Sequence, residues 1–140
     1  MILLDGKQVK KQILEDLKQE LINLPKLGLT VVQVGEDPAS KVYVGQKEKM
    51  ALEVGYNFNH VKLPAEITEE ELLTIIDELN ADETVHGVLV QMPLPEHLDA
   101  KTIQNRVDPN KDVDGLCDVN AGKLVNNVDA LVPCTPYGII

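Results

Sequence analysis

Leu29-Thr30-Val31-Val32-Gln33-Val34-Gly35-Glu36-Asp37-Pro38 holds the transition on which the fold turns. Residues 29–34 form a short, almost wholly apolar run rich in β-branched side chains, which suit a pleated strand. A continuous run, rather than strict alternation, predicts burial on both faces, as in a parallel sheet covered by helices. Gly35 to Pro38 reads as a turn. Asp37-Pro38 is also a helix start: a capping carboxylate, then a proline in the first turn, where its missing N–H costs nothing.

The same grammar extends in both directions. Upstream, Val9, Ile13, Leu17 and Leu21 recur at four-residue steps, with Leu14 and Leu24 widening the stripe. That spacing predicts a helix over 5–24, closed by Pro25 and Gly28. Downstream, a second helix over 38–54 ends at Gly55, and a strand is expected over 56–63 despite Asn57, Asn59 and His60. Thr68-Glu69-Glu70-Glu71 is a capping box that opens a helix to about Asn80. Residues 85–91 read as a third apolar strand, stopped by Pro93 and Pro95, and a short helix follows near 99–106. The stretch from Asp108 to Asn127 is polar, rich in Asp, Asn and Gly, and carries no periodicity. Strands separated by helices predict βαβ units, hence an α/β fold with a parallel sheet between two helical layers. The whole chain, 1–140, is expected to be one domain.

Composition narrows the function. The apolar share is 44%, with no Trp, one Phe and three Tyr, so the core must be aliphatic. A net charge of −10 argues against a nucleic-acid partner, which needs a basic surface to displace counterions, and against docking on anionic membranes. The opening apolar run, Ile2 to Leu4, is too short for a signal peptide, and no stretch approaches the ~20 apolar residues of a membrane span. A cytoplasmic or similarly reducing location is expected. Cys117 and Cys134 form no C-x-x-C pair, and three scattered histidines offer no zinc-type spacing, so no metal is expected.

In an open parallel sheet, ligands bind beyond the carboxyl ends of the strands. Three polar segments are expected there, and all three could face one cleft: Gly35–Pro38, Gln91-Met92-Pro93-Leu94-Pro95, and Asp112-Val113-Asp114-Gly115. On a helical wheel of the second helix, Ala39, Val42, Tyr43, Met50 and Val54 share an apolar face. Ser40 and Lys47 nearly superimpose beside it, and Val44 and Ala51 lie on their outer side. A lysine next to an apolar stripe, partly withdrawn from water, is suited to general acid or base work. It is equally suited to snorkelling, its stem on apolar surface and its ammonium in water. Tyr43 could stack on a flat ligand or simply pack in the core. Gln91 could orient a reactive group or merely end a strand. Asp112 and Asp114 could accept from amino groups of a ligand or sit in a solvated turn. His60, His86 and His97 lie on or beside strands without evident partners and read as structural. Gly35 to Val42 is not a phosphate loop: Ser40 stands where the second glycine is required and Val42 where the hydroxyl is. No G-x-G-x-x-G occurs in the sequence.

Four ordered motifs are more specific than any one residue. Val34-Gly35-Glu36-Asp37-Pro38-Ala39-Ser40-x-x-Tyr43-Val44-x-x-Lys47-x-Lys49 resembles the first signature of the methylenetetrahydrofolate dehydrogenase/cyclohydrolase family. Gly87 to Pro95 resembles the second. Pro109-x-Lys111-Asp112-Val113-Asp114-Gly115-Leu116 with Asn120-Ala121-Gly122-Lys123-Leu124 resembles the third. Pro133-Cys134-Thr135-Pro136-x-Gly138 is similar to the segment that leads toward the family's nucleotide-binding domain. The resemblance implies the N-terminal domain of a two-domain, amino-acid-dehydrogenase-like plan whose Rossmann domain lies outside this chain, with residues from about 133 onward leading to it. The residues that bind the nucleotide cofactor are accordingly expected beyond Ile140. The resemblance further implies oxidation of 5,10-methylenetetrahydrofolate by NADP or NAD and hydrolysis of the methenyl product to 10-formyltetrahydrofolate, in one-carbon metabolism and purine biosynthesis, by a homodimer. Carried over by position, it implies that Lys47 is the catalytic lysine, supported by Gln91 and near Ser40. Tyr43 would stack on the folate, Asp114 bind the pterin, and Gln91 and Pro93 line the substrate. A folate-binding fragment without turnover is the alternative. An amino-acid or shikimate-type dehydrogenase is disfavoured by the combination of Tyr43-x-x-x-Lys47, Gln91-x-Pro93 and Asp112-x-Asp114-Gly115.

Overall fold

The computed structural model describes residues 5–139. The apolar run Ile2 to Leu4 and Ile140, past which the cofactor-binding residues are expected, lie outside the described residues. The Asp5 carboxylate accepts from the Lys7 and Gln8 N–H groups and starts helix α1, Gly6–Leu21. The helix stops short of Leu24, the expected end, because Pro25 disfavours helical backbone at the residue before it. Strand β1 is Gly28–Val34, and all of it is buried except the half-buried Leu29. Helix α2, Pro38–Val54, begins on Asp37, whose carboxylate accepts from the Ser40 N–H at 2.7 Å. It ends at Gly55, which takes the left-handed conformation at φ 98°. Strand β2 is Asn57–Leu63, helix α3 Glu69–Ala81 and strand β3 Gly87–Val90. The expected capping box is formed, with Thr68 and Glu71 bonded reciprocally. Helix α4 is Ala100–Arg106, capped by Asp99. Two further helices, α5 (Asp118–Val125) and α6 (Cys134–Ile139), complete the described chain.

The sheet is parallel in the order β2-β1-β3, with Val31 opposite His60 on one side and Leu89 on the other. Alternation along the strands sorts the core into two halves. Val32, Val34, Val88 and Val90 pack with Leu72 and Ile76 of α3 and Ile103 of α4. Val31 and Leu89 turn the other way and pack with Val44 of α2, with Phe58 and Val113 at the margin. The result is the expected three-layer α/β arrangement with an aliphatic core. Leu72, Ile76 and Ile103 are fully buried, and each contributes about 1.5–3 kcal/mol on burial. The polar residues that made β2 hard to read follow from its edge position, where Asn57, Asn59 and Lys62 are exposed.

Three features depart from the sequence expectations. β3 is Gly87–Val90 rather than 85–91: Val85 belongs to a turn closed on the Asp82 carbonyl, and Gln91 leaves the ladder after its N–H bonds to the Val32 carbonyl. The stretch 108–127 is not structureless. It contains α5, and Asp112 bridges to Val88 in parallel register, so the loop runs along the free edge of β3. The approach is close enough that a Cβ on Gly87 would sit 2.5 Å from a Val113 methyl. Finally, α1 has its apolar stripe but buries none of its residues; Val9 and Ile13 are more than half exposed. Among the described residues, no helix is long and apolar enough to cross a membrane.

Candidate functional site

Helix α2 sets the site, and its buried stripe is not the one the wheel predicts. Val42 is 59% exposed and Tyr43 60%, whereas Ser40, Val44, Ala51 and Val54 are buried. The wheel weighted side chains by hydrophobicity. Val44 is buried and Val42 exposed although the side chains are identical, so the rotation of α2 against the sheet decides which face is covered. Lys47 steps onto this same stripe, three residues after Val44 and four before Ala51, and is half-buried. It therefore lies on the inward face rather than beside it.

The lysine's ammonium donates to Gln91 Oε1 at 3.0 Å. Gln91 is anchored in turn: its Nε2 donates to the Met92 carbonyl at 2.7 Å. Ser40 Oγ donates to that same carbonyl at 3.3 Å. One polar chain thus links two turns of α2 to the segment after β3, where the Met92–Pro93 peptide is cis and Pro93 is exposed. Asp114 completes the cluster from the third segment. Burial holds its carboxyl above the ordinary aspartate range; the Lys47 charge opposes that shift and the Asp112 charge adds to it. Tyr43, one turn before Lys47 on α2, leaves its ring largely open to ligand.

The expected convergence of three segments holds for two of them. Gln91 bonds to Lys47, and Asp114 lies near enough to feel the lysine's charge. Gly35 and Glu36 instead line a separate hollow with Gln33, Lys41, His60 and Lys62 on the β2 side, and Glu36 pairs with Lys41. The first segment reaches the cluster only through Ser40. Asp112 also departs from its expected place. It is 5% exposed and turned inward, accepting from the Cys117 N–H at 2.9 Å and Asn120 Nδ2 at 3.1 Å. The histidines, expected to lack partners, each have one: His60 bonds to Gln33 Oε1, His86 Nδ1 accepts from the Gly28 N–H, and His97 bonds to the Ile67 carbonyl.

Sequence reading missed the residues that hold the third segment. Lys111 donates to the Leu79, Asn80 and Asp82 carbonyls at the end of α3, and Asn120 ties Asp112 to the Pro109 carbonyl. The available signal was their place in the same two-part motif as Asp114, Pro109 to Leu116 with Asn120 to Leu124. A separate open groove of about 650 Å³ lies against Pro64, Ile67, Thr74 and Ile75 on the α3 side. Its lining includes Glu66 and Glu71 but none of the residues of the Lys47 cluster. Among the described residues, no group of His, Cys, Asp and Glu side chains could hold a metal ion.

Residues 4–114 match the family model described as the tetrahydrofolate dehydrogenase/cyclohydrolase catalytic domain. The chain is 53% identical over 131 residues to the bifunctional protein FolD of Anaplasma phagocytophilum, covering 93% of this chain and 42% of that protein. The crystal structure of the bifunctional enzyme FolD from Campylobacter jejuni superposes with a TM-score of 0.96 at 40% identity, covering 99% of this chain and 51% of that one. The Trypanosoma brucei methylenetetrahydrofolate dehydrogenase-cyclohydrolase, solved with NADP and an inhibitor, superposes at 0.91 with 33% identity over 99% of this chain and 49% of that one. This chain spans about half the length of the curated relatives it matches.

Proposed function

Because the chain belongs to the tetrahydrofolate dehydrogenase/cyclohydrolase family, we propose that it supplies the folate site and catalytic lysine of a bifunctional enzyme of one-carbon metabolism. The reactions are oxidation of 5,10-methylenetetrahydrofolate to the methenyl compound and hydrolysis of that compound to 10-formyltetrahydrofolate. The observation that carries the reading is the 3.0 Å bond from Lys47 Nζ to Gln91 Oε1 on the inward face of α2.

The chemistry favours this arrangement. The methenyl compound is a cation: water adds to its one-carbon bridge and gives up a proton, and the carbinolamine then breaks its C–N5 bond as the hydroxyl proton passes to N5. An amine beside that bridge is a proton-transfer group of the kind general acid–base catalysis uses. Gln91 holds the lysine by a neutral acceptor; its own amide is spent on the Met92 carbonyl, so its orientation is set. Ser40 fastens the same carbonyl to the start of α2. Tyr43 offers an exposed ring one turn away for the flat folate, and in this reading Pro93 and Gln91 also line the substrate. Asp114 accepts from the donor-rich pterin edge.

The nicotinamide cofactor, NADP or NAD, supplies the hydride acceptor when bound. The described residues do not fit it: the sequence has neither G-x-G-x-x-G nor a phosphate loop, and the strand ends nearest the site are taken by Lys47, Gln91 and Asp114. In this reading the cofactor is held mainly by residues beyond Ile140, in the half of the relatives' length that this chain does not span and toward which residues from about 133 lead. The family likeness also supports a cytoplasmic homodimer at full length that feeds purine biosynthesis, with tetrahydrofolate derivatives as its ligands.

In the full-length enzyme, Lys47→Met is expected to reduce hydrolysis of methenyltetrahydrofolate, followed by its absorbance, at least about a hundredfold, a loss typical of removing a general acid–base group. Circular dichroism should be unchanged. Retained hydrolysis refutes the lysine's role. Titration of the 140-residue chain with folate by calorimetry then separates a folate-binding module without turnover, which binds, from a wrong site assignment, which does not.

A further inference from the structure

We propose that Asp112 is a positioning residue for Asp114: a buried carboxylate that fixes how the loop between α4 and α5 presents Asp114 to the pterin end of a folate. The inference rests on the reading of Asp114 given above and concerns what holds that residue in place.

A carboxylate only 5% exposed is costly unless its oxygens are satisfied. Among the described residues, no cation satisfies Asp112. Its neighbour Lys111 places its ammonium on three backbone carbonyls, of Leu79, Asn80 and Asp82, at 3.1, 2.7 and 2.8 Å. Asp112 is met by N–H donors instead. Its Oδ2 accepts from the Cys117 N–H and from Asn120 Nδ2, and the Leu116 N–H also faces the carboxylate. Its main chain is held as well: the Asp112 carbonyl accepts from the Gly115 N–H at 3.1 Å, and its N–H donates to the Asp108 carbonyl at 2.9 Å. Residue 112 is therefore bonded to residues 115 and 117, and Asp114 sits inside that loop. Val113 points into the core against Val31, Val44 and Leu89. With the residues on both sides tied down, the direction of Asp114 is set by Asp112. Asp112 itself has no open face toward a ligand.

The test uses the 140-residue chain, titrated with folate and with p-aminobenzoyl-glutamate, which lacks the pterin. Asp112→Asn keeps the volume but replaces one acceptor oxygen with a donor among three N–H groups. It is expected to weaken folate about tenfold, the loss of one good hydrogen bond to the pterin, and to leave p-aminobenzoyl-glutamate binding within about twofold, since that ligand never meets Asp114. Adding Asp112→Asn to Asp114→Asn should weaken folate by no more than about twofold further, because the role passes through Asp114. Equal losses for both ligands, additive losses in the double variant, or no loss at all overturn the proposal. If Asp114→Asn alone leaves folate affinity unchanged, the pterin role of Asp114 fails and the positioning role with it. If Asp114→Asn weakens folate and Asp112→Asn does not, only the role of Asp112 fails. Should Asp112→Asn not fold, Asn120→Ala removes one donor of the same network and must give the same split between the two ligands.

Discussion

Gly115→Ala puts a single methyl at the point where the loop bearing Asp114 is most tightly enclosed. Gly115 has φ 65°, in the left-handed region, where an L side chain costs about 1–2 kcal/mol. A Cβ there would lie 2.4 Å from the Leu131 carbonyl oxygen and 3.1 Å from its carbon. Both are backbone atoms, so no rotamer change relieves the overlap. The loop or the 131–133 segment must move by about 1 Å to restore ordinary contact. Strain and displacement together are expected to cost about 2–4 kcal/mol. A urea titration followed by circular dichroism should show the midpoint falling by roughly 1–2 M at typical slopes. Displacement by about 1 Å beside a ligand-facing group can cost as much as a hundredfold, so folate affinity should fall at least tenfold in the protein that remains folded. Gly45→Ala is the matched control. Gly45 lies inside α2 with nothing within 4 Å of its Cβ position, so the same change there should stabilise by about 0.5–1 kcal/mol. An unchanged midpoint and affinity in Gly115→Ala, or equal effects of the two substitutions, would refute the reasoning.

Lys111→Met removes the donor shared by three carbonyls at the end of α3 and should cost about 2–3 kcal/mol, read as a lower urea midpoint; a midpoint unchanged within error shows that water replaces the ammonium freely. Asp114→Asn should change the pH dependence of stability. The native carboxyl is held above the ordinary range, chiefly by burial, so the folded state binds its proton more tightly than the unfolded one. That contribution is fully present below the ordinary aspartate value and is lost as pH rises through the raised native value. The variant should lack this decline and gain stability relative to the parent at neutral pH, while binding folate more weakly. Asp112 has the opposite sign. Burial would raise it, but the N–H groups of Cys117, Asn120 and Leu116 outweigh that, so its contribution is present above the unfolded value and is lost in acid. Urea midpoints of parent and variant between about pH 3 and pH 7, spanning the ordinary aspartate value, separate the two; parallel curves would refute the burial argument for Asp114.

The fold was legible wherever local signals and burial agreed. β1 announced itself as an unbroken apolar run because both its faces are covered. Asp37-Pro38, Thr68 with Glu71, and Asp99 each start a helix by a bond that the sequence spells out. Where burial depends on a partner far along the chain, the sequence was silent. Helix α5 begins on Cys117, whose sulfur accepts from the Asn120 N–H, a weak cap that no pattern of Ser, Thr, Asp or Asn advertises. The stripe of α2 was misjudged by about one residue's rotation. Val42 and Val44 are identical side chains, yet only Val44 is buried, so position against the sheet and not residue type decides the stripe. The lysine was thus singled out on a partly mistaken wheel, and the corrected wheel places it deeper.

The motif Lys111-Asp112-Val113-Asp114-Gly115 shows why a site can be spelled in sequence without its geometry being readable. Five consecutive residues have five destinations: the carbonyls ending α3, the N–H groups opening α5, the apolar layer beneath α2, a partly buried position within the field of Lys47, and a left-handed turn packed against Leu131. No periodicity of two or 3.6 produces that order, because the segment is neither strand nor helix; its register comes from the single bridge to Val88 at the sheet edge. Composition alone makes it a solvated acidic turn. What distinguishes it is that its two aspartates are driven in opposite directions by their surroundings, one saturated with donors and one left short of them. A carboxylate already satisfied by its own loop has nothing to offer a ligand, whereas one partly buried and short of donors gains most from a ligand that brings its own. That asymmetry, rather than the presence of two carboxylates, makes Asp114 the group a donor-rich ligand would seek.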